Sequence, residues 1–351
     1  MLAAGCMPAS DRGGKSTAEP PDPSQVAAPQ RNLTATSDPQ PSTPPERAAA
    51  QDAASTQARP GRRVRPPFDP LRDNGPIFAG WPKPRLAIVI TGRQDGYLEP
   101  CGCAGLDRMR GGLSRRHTMI ASLRERGWPM ALFDAGGLSK RFGPQALLKL
   151  RTSVEALTEM GYDAIGLGVA ELQFPATDLV TLIAGEDGLS SRFVSANVGL
   201  FGLEAQLTPR KRIVEVSGLK LGVTCILGKT FQSQIHNPDL EMTDPETALA
   251  PLVAEMRPAC DWMILLAYTT RDEATALARR FPEFDIVVTS DGPPVPPPQA
   301  KRVEGGKTWL IEVGEYSRFR SESFHAANIS TVSSSAFRPR WSARNRASQF
   351  S

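Results

Sequence analysis

Two cysteines one residue apart, Cys101 and Cys103, are the strongest chemical signal in the sequence. They belong to the motif Glu-Pro-Cys-Gly-Cys at residues 99–103, where proline and glycine favour a tight loop. A disulfide at this spacing would close a small, strained ring and would be more oxidising than a structural bridge. The reduced pair could instead bind a soft metal such as Zn²⁺ or Cu⁺, although a tetrahedral Zn²⁺ site needs further ligands. A purely structural pair that fixes the loop is the third interpretation, and all three stay open.

Other potentially reactive side chains give weaker signals. Four arginines follow the motif, namely Arg108, Arg110, Arg115 and Arg116. They would lower the thiol pKa if they pointed toward the cysteines, but such a run is also typical of a solvated helix face. Cys225 and Cys260 lie in apolar surroundings and are predicted to be core residues. With three histidines in the chain, a His-rich multinuclear metal site is excluded.

Short apolar strands that alternate with amphipathic helices must position these residues. This alternation predicts a layered α/β domain with buried sheets. The predicted strands cover residues 85–90, 130–133, 163–167, 193–196, 221–227, 262–267, 285–289 and 308–313, and the predicted helices cover residues 113–126, 145–160, 245–257 and 273–280.

Composition divides the chain into three parts. Of 32 prolines, 16 lie in the first 84 residues, which contain no aromatic residue before Phe68. Residues 1–82 are therefore predicted to be a disordered tether, residues 83–320 the folded domain, and residues 321–351 a disordered tail. A net charge of +4 argues against a dedicated nucleic-acid binder. No apolar run approaches the roughly 20 residues that span a bilayer.

The first six residues resemble the end of a bacterial lipoprotein signal. Small residues precede Cys6, which would carry the lipid after cleavage. The charged and apolar parts of a signal peptide are missing before this segment. The interpretation therefore requires that the codon of Met1 is not the true start codon and that translation begins further upstream. A lipid on Cys6 with a long tether predicts a protein of the bacterial cell envelope that contacts the membrane only through that lipid. A chance run of small residues is the alternative.

The order of segments resembles the phosphoesterase domain of 5′-nucleotidases, within the calcineurin-like superfamily. The resemblance depends first on a strand and a Thr-Gly-Arg-Gln-Asp-Gly loop at residues 86–96 and on a closing strand at residues 308–316. Between them lie three short motifs, Gly-Gly-Leu-Ser-Arg-Arg at residues 111–116, Asp-Ala-Gly-Gly at residues 134–137 and Gly-Val-Ala-Glu at residues 168–171. It implies a layered α/β/β/α sandwich. The Glu-Pro-Cys-Gly-Cys loop is similar to that of a divergent bacterial branch with altered metal ligands.

The resemblance also implies a pair of metal ions held by Asp, His and Asn at the strand ends. In this sequence the matching positions carry Arg93, Asp95, Gly137, Val169 and Ala170. The later histidine positions fall near residues 267–268 and 290–292. Most of these residues cannot ligate a metal ion, so a dinuclear hydrolase is not expected.

The sequence thus predicts a degenerate phosphoesterase-like protein with a Cys-x-Cys loop at the former active site. Arg93, Asp95, Glu171 and Asp291 are the predicted ligand-binding residues, and the last three could form a carboxylate cluster for one hard metal ion or simply face solvent. A soft metal ion at the cysteine pair is the possible cofactor. The partner is an unidentified small molecule or envelope protein. A phosphoester hydrolase with altered metal ligands is the alternative.

Overall fold

The computed structural model describes residues 78, 81–99, 111–184, 192–203, 207–293, 297 and 299–314. The chain divides into two units, residues 1–64 and residues 65–351, and every described residue belongs to the second. The domain boundaries of the sequence analysis stay predictions.

A small parallel sheet forms the first half of the domain. Its strands run in the order β1-β2-β3 and are β1 (Ala87–Thr91), β2 (Met130–Asp134) and β3 (Ala164–Ile165). The strands are short and consist almost entirely of buried residues, as expected for a sheet covered on both faces.

A larger mixed sheet forms the second half. Its order is β10-β11-β9-β8-β6-β5, in which β6, β8, β9 and β11 are parallel and the two edge strands are antiparallel. The strands are β5 (Arg212–Val216), β6 (Leu219–Leu227), β8 (Trp262–Tyr268), β9 (Ile286–Thr289), β10 (Lys301–Arg302) and β11 (Trp309–Glu312). A separate two-stranded ribbon pairs β4 (Val198–Leu200) with β7 (Leu240–Met242).

The two sheets pack against each other through the side chains that point inward. Ile88 and Phe133 of the small sheet share one cluster with Val223, Ile264 and Val288 of the large sheet. Their sequence neighbours point the other way, because successive side chains of a strand alternate between faces. The apolar runs of the sequence are thus explained by sheets buried on both sides.

Helices cover the two outer faces. They are α1 (Leu113–Glu125), α2 (Pro144–Glu159), α3 (Ala176–Ala184), α4 (Lys229–Gln232), α5 (Pro245–Met256) and α6 (Arg271–Arg280). The first three pack on the small sheet, and α5 and α6 pack on the large sheet. The layers are therefore α/β/β/α, and the fold class predicted from the sequence is confirmed.

Most elements predicted from the sequence are present within about two residues of the expected bounds. The segment at residues 193–196 is a correction, since Phe193 makes only an isolated bridge to Ile165. The sequence analysis also missed α3 and the edge strand β5, which is half-exposed and lacks a continuous apolar run. Cys225 and Cys260 are buried, as predicted. Of the helices in the described ranges, none has the length and apolar character needed to cross a membrane.

Candidate functional site

The carboxyl edges of both sheets meet at one end of the domain. Arg93 follows β1 in the small sheet, and its Nη1 donates a hydrogen bond to the carbonyl oxygen of Ser290, which follows β9 in the large sheet, at 3.3 Å. Tyr268 ends β8 and points its ring toward the glycines that follow β2 and β3. Such an edge, where loops from several parallel strands converge, is the usual place for a functional site in an α/β fold.

The loop after β1 is held in an unusual backbone conformation. Arg93 and Asp95 have positive φ angles of 47° and 55°, which non-glycine residues rarely adopt. Three backbone hydrogen bonds tie this loop to the turn after β2, from Arg93 to Gly136 at 2.8 Å, from Asp95 to Gly137 at 2.9 Å and from Gly96 to Leu138 at 2.7 Å. Strain of this kind persists only where the surroundings enforce it and is concentrated at functional sites.

A buried ion pair lies beneath this edge. Arg116 of α1 and Asp134 at the end of β2 are fully buried, with Nη1 and Oδ2 3.6 Å apart. Thr91 donates a hydrogen bond to Oδ2 of Asp134, and the backbone N–H of Gly136 donates to Oδ1 at 2.9 Å. Burial raises the pKa of Asp134, and the Arg116 charge and these hydrogen bonds oppose the shift. Tyr162 completes the cluster, with its hydroxyl 3.1 Å from that of Thr91.

Glu171 joins two loops of the edge. It lies in a short 3-10 helix (Glu171–Gln173) after β3, and its carboxylate accepts hydrogen bonds from the backbone N–H of Ser139 at 2.5 Å and of Gly168 at 2.9 Å. Its burial is complete and raises the pKa to about 7, against which the two backbone donors act. Glu171 is thus a carboxyl group that titrates near neutral pH inside the protein.

Tyr268 fills the space between these loops. A Cβ added at Gly137 would lie 3.1 Å from Cε2 of Tyr268 and 3.2 Å from Cα of Arg93, and a Cβ added at Gly168 would lie 2.8 Å from the same ring atom. Burial raises the pKa of Tyr268, the negative charges of Glu171 and Asp95 add to the effect, and Arg93 opposes it. One tyrosine, one arginine and two carboxyl groups therefore converge here.

Three of the four predicted ligand-binding residues lie close to the same tyrosine. Arg93, Asp95 and Glu171 all lie at the carboxyl edge, near Tyr268. Asp291 is exposed, and its Oδ2 accepts a hydrogen bond from the backbone N–H of Arg271 at 3.2 Å, at the start of α6. The ligand-binding role of all four stays a prediction. Cys6, Cys101 and Cys103 lie outside the described residues.

The described residues do not fit the pair of metal ions that the resemblance implies. Across the described ranges, no three His, Cys, Asp or Glu side chains come close enough together to hold a metal ion. The carboxylate cluster considered for Asp95, Glu171 and Asp291 is therefore absent. At the matching positions Arg93 contributes a cation, and Gly137, Val169 and Ala170 have no side-chain donor atom.

The buried pair formed by Arg116 and Asp134 was not predicted from the sequence. Arg116 was expected either beside the cysteines or on a solvated helix face, whereas it is 1% exposed. A signal for its burial existed, because Leu113, Arg116, Ile120 and Leu123 share one face of α1 and form its buried stripe. Its neighbour Arg115 is exposed.

Searches with the sequence alone give no relative. No protein-family model matches the chain, and no curated protein matches it. Comparison of the fold with solved structures does find similar proteins.

One is the 5′-nucleotidase precursor from Thermus thermophilus, with a TM-score of 0.56, 19% identity, and coverage of 68% of this chain and 52% of that one. Another is the NAD nucleotidase of Haemophilus influenzae, with a TM-score of 0.54, 17% identity, and coverage of 66% of this chain and 45% of that one. A third is the calcineurin-like phosphoesterase YfkN from Bacillus subtilis, with a TM-score of 0.51, 18% identity, and coverage of 66% and 82%.

The chain spans about half the length of the first two structures. At identities below one in five, the likeness establishes the fold, and it agrees with the order of segments in the sequence and with the α/β/β/α layers. The chain therefore has the fold of the 5′-nucleotidases and calcineurin-like phosphoesterases.

Proposed function

We propose that this chain is a non-hydrolytic protein of the phosphoesterase fold, located in the bacterial cell envelope. Its functional site is the carboxyl edge of the two sheets together with the Cys101–Cys103 loop. The observation that carries the proposal is the replacement of metal-binding groups at that edge by Arg93 and Tyr268, with no described group of three metal-binding side chains. Hydrolysis through two metal ions needs several convergent oxygen and nitrogen ligands, so this arrangement favours a different chemistry.

The length of the covalent chain supports a position of the two cysteines near this edge. The backbone N–H of Leu113 donates a hydrogen bond to the carbonyl oxygen of Leu98 at 2.8 Å, which closes the base of the connection between β1 and α1. Cys101 is three residues from Leu98, so their Cα atoms are at most roughly 11 Å apart. Leu98 follows directly on the strained segment that carries Arg93 and Asp95, which supports a common site.

A thiol pair at this position supports two kinds of chemistry. In exchange with a small-molecule disulfide, one thiolate attacks the disulfide and releases a thiol, and the second cysteine then releases the other thiol and forms the Cys101–Cys103 bond. Two electrons pass from the protein to the small molecule in this process. Alternatively, the two thiolates bind one soft metal ion. The guanidinium of Arg116 is buried and forms an ion pair with Asp134.

The proposal is tested by titrating the thiols of the folded Cys6→Ser variant with an aromatic disulfide reagent. Cys225 is buried with its pKa raised to about 12, and burial also raises the pKa of Cys260, so both react slowly in the folded protein. We expect two fast thiols after mild reduction and none after mild oxidation. The Cys101→Ser/Cys103→Ser variant should have none in either state, and Cys260→Ser, the matched control, should keep both.

Elemental analysis of the same proteins separates redox chemistry from metal binding. One equivalent of zinc or copper that is absent from Cys101→Ser/Cys103→Ser would assign the pair to a soft metal. Two equivalents of manganese, iron or zinc, together with phosphatase activity, would contradict the proposal and restore the metal-dependent phosphoester hydrolase. If the thiol titration shows no fast thiols and the elemental analysis shows no bound metal, the proposed function is wrong and only the fold assignment stands.

Lipid attachment at Cys6 is the part of the proposal that fixes the cellular location. We expect the native N-terminal peptide to begin at a diacylglyceryl-modified Cys6, and mass spectrometry of the protein from its own organism measures this directly. An unmodified peptide that begins at Met1 would remove the lipid anchor from the proposal.

A further inference from the structure

Two large apolar side chains project into solvent at the N-terminal end of α2. Phe142 is 70% exposed and Leu148 is 66% exposed, the highest values among the large exposed hydrophobic residues of the described ranges. Phe142 lies two residues before the start of α2, and Leu148 lies in its second turn. Exposure of one apolar residue is ordinary, but two of this size near one helix end call for an explanation.

Packing of the helix does not require this exposure. The inner face of α2 is already occupied, since Leu150 and Leu157 are fully buried and Ala146 and Leu147 pack on the same cluster. Leu148 belongs to the other side of the helix. A polar residue would serve equally well there for folding, so the apolar side chains need another explanation.

The same helix end is strongly basic. Lys140, Arg141 and Lys149 are exposed, and the sequence has no Asp or Glu between Asp134 and Glu155. Gly143 provides no side-chain cap at the start of α2, and the helix dipole adds to the positive potential at this end. The patch formed by Lys140, Arg141, Phe142, Leu148 and Lys149 therefore combines apolar tips with a basic surround.

The loop that presents Phe142 is well fixed. Ser139 donates its hydroxyl hydrogen to the carbonyl oxygen of Arg141 at 2.6 Å, and its backbone N–H is held by Glu171. Phe142 is thus displayed from a defined turn.

We propose that this patch docks onto an anionic lipid surface. Basic side chains beside a bilayer are attracted to anionic headgroups, and aromatic and leucine side chains partition into the interface. A protein partner is less well matched, because two isolated apolar tips fall far short of the area that a stable protein interface buries. Lys149 approaches Gly96, with Cδ 3.8 Å from the position of an added Cβ, so the docked patch would border the carboxyl edge.

Vesicle co-sedimentation of the full Cys6→Ser chain tests the proposal, since this chain cannot carry the lipid anchor. We expect binding to vesicles that contain phosphatidylglycerol, weaker binding at high salt, and little binding to phosphatidylcholine alone. Phe142→Ser/Leu148→Ser should weaken binding about tenfold, because it removes the two side chains that insert. Arg141→Glu/Lys149→Glu should remove the preference for anionic vesicles. All four positions are exposed, so each variant should keep the wild-type circular dichroism spectrum and melting temperature.

The matched control is Phe201→Ser, which removes a 56% exposed phenylalanine outside the patch and should bind as the parent does. Because all variants share the same N-terminal region, any binding by that region cancels in the comparison. Equal binding by the parent and the Phe142→Ser/Leu148→Ser variant would overturn the proposal. So would a dimer of the parent, measured by light scattering, that the same variant abolishes, since the occupant would then be a second copy of the chain.

Discussion

Two buried acidic residues at the same edge, Asp134 and Glu171, are held in different ways. Asp134 has a cation, Arg116, as well as the hydroxyl of Thr91 and a backbone N–H. Glu171 accepts from backbone N–H groups, among them those of Ser139 and Gly168, and no described lysine or arginine forms an ion pair with it.

The difference separates two uses of a buried carboxylate. Where a cation is present, the charge is part of the core and its loss leaves the partner uncompensated. Glu171 is held by backbone N–H groups, and burial raises its pKa to about 7, so its charge changes within the neutral range. Burial raises the pKa of both acids, but Asp134 also has a cation and a hydroxyl group that oppose the shift.

Removal of the cation should have the largest effect. Arg116→Met keeps much of the side-chain volume but leaves Asp134 buried without its partner, and we expect a loss of about 3–5 kcal/mol in the free energy of unfolding. Urea denaturation followed by circular dichroism measures this. Arg115→Met, at the exposed neighbouring position, is the matched control and should change stability by less than about 0.5 kcal/mol. Similar losses for both variants would show that the buried pair has no special role.

Glu171→Gln should have the next largest effect, which is a change in the pH dependence of stability. The folded-state pKa of Glu171 is about 7, above the ordinary glutamate value of 4.5. Its contribution to stability is therefore complete below about pH 4.5 and is lost as the pH rises through 7. Glutamine does not ionise, so the stability of the variant relative to the wild type should rise by about 3 kcal/mol between pH 4.5 and pH 8.

Denaturation at a series of pH values measures this difference. At the acidic end the variant should be the less stable protein by about 1 kcal/mol, because its amide N–H₂ faces a backbone donor. Glu159→Gln, at an exposed position of α2, is the control and should follow the wild-type pH profile. A difference between Glu171→Gln and the wild type that stays constant with pH would show that Glu171 does not titrate in this range.

The comparison also shows how far the sequence could be interpreted. The layers were predictable because buried strands such as β6 and β8 are continuous apolar runs of ordinary length. The edge strand β5 was not, since its half-exposed residues alternate with exposed ones and lack an apolar signal.

The sequence could predict which residues lie at the candidate site, but not which contacts their side chains make there. Strand ends identify which residues lie at the carboxyl edge, and Arg93, Asp95 and Glu171 are there. No sequence pattern reveals that Arg116 reaches Asp134 from a different element, or that Glu171 binds backbone groups, because these contacts depend on how helices pack on the sheet. Periodicity along α1 could have indicated the burial of Arg116, but not its partner.

Gly168→Ala should lower the stability by a smaller amount, because the added methyl group would clash with the Glu171 carboxylate. The added Cβ would lie 2.5 Å from Oε2 of Glu171 and 2.7 Å from the backbone nitrogen of Gly137, and the latter atom cannot move away easily. We expect a loss of about 2 kcal/mol, as for other cases of overpacking. Gly306→Ala is the control, because its Cβ would make only ordinary contacts at 3.7 Å or more. Equal melting temperatures for the two variants would show that the edge is loosely packed.

The smallest effect concerns Asp291, the acid that lies outside this pair. Its exposed carboxylate accepts from the first N–H of α6, so Asp291→Ala should cost about 0.5–1 kcal/mol and Asp291→Asn, which keeps an acceptor, should cost less. Denaturation of both variants measures the difference. Neither substitution should alter the reactivity of the fast thiols, since the side chain is committed to the helix end. A change in thiol reactivity without a change in stability would instead support the predicted ligand-binding role of Asp291, and the exposed acid would then matter more for ligands than either buried one.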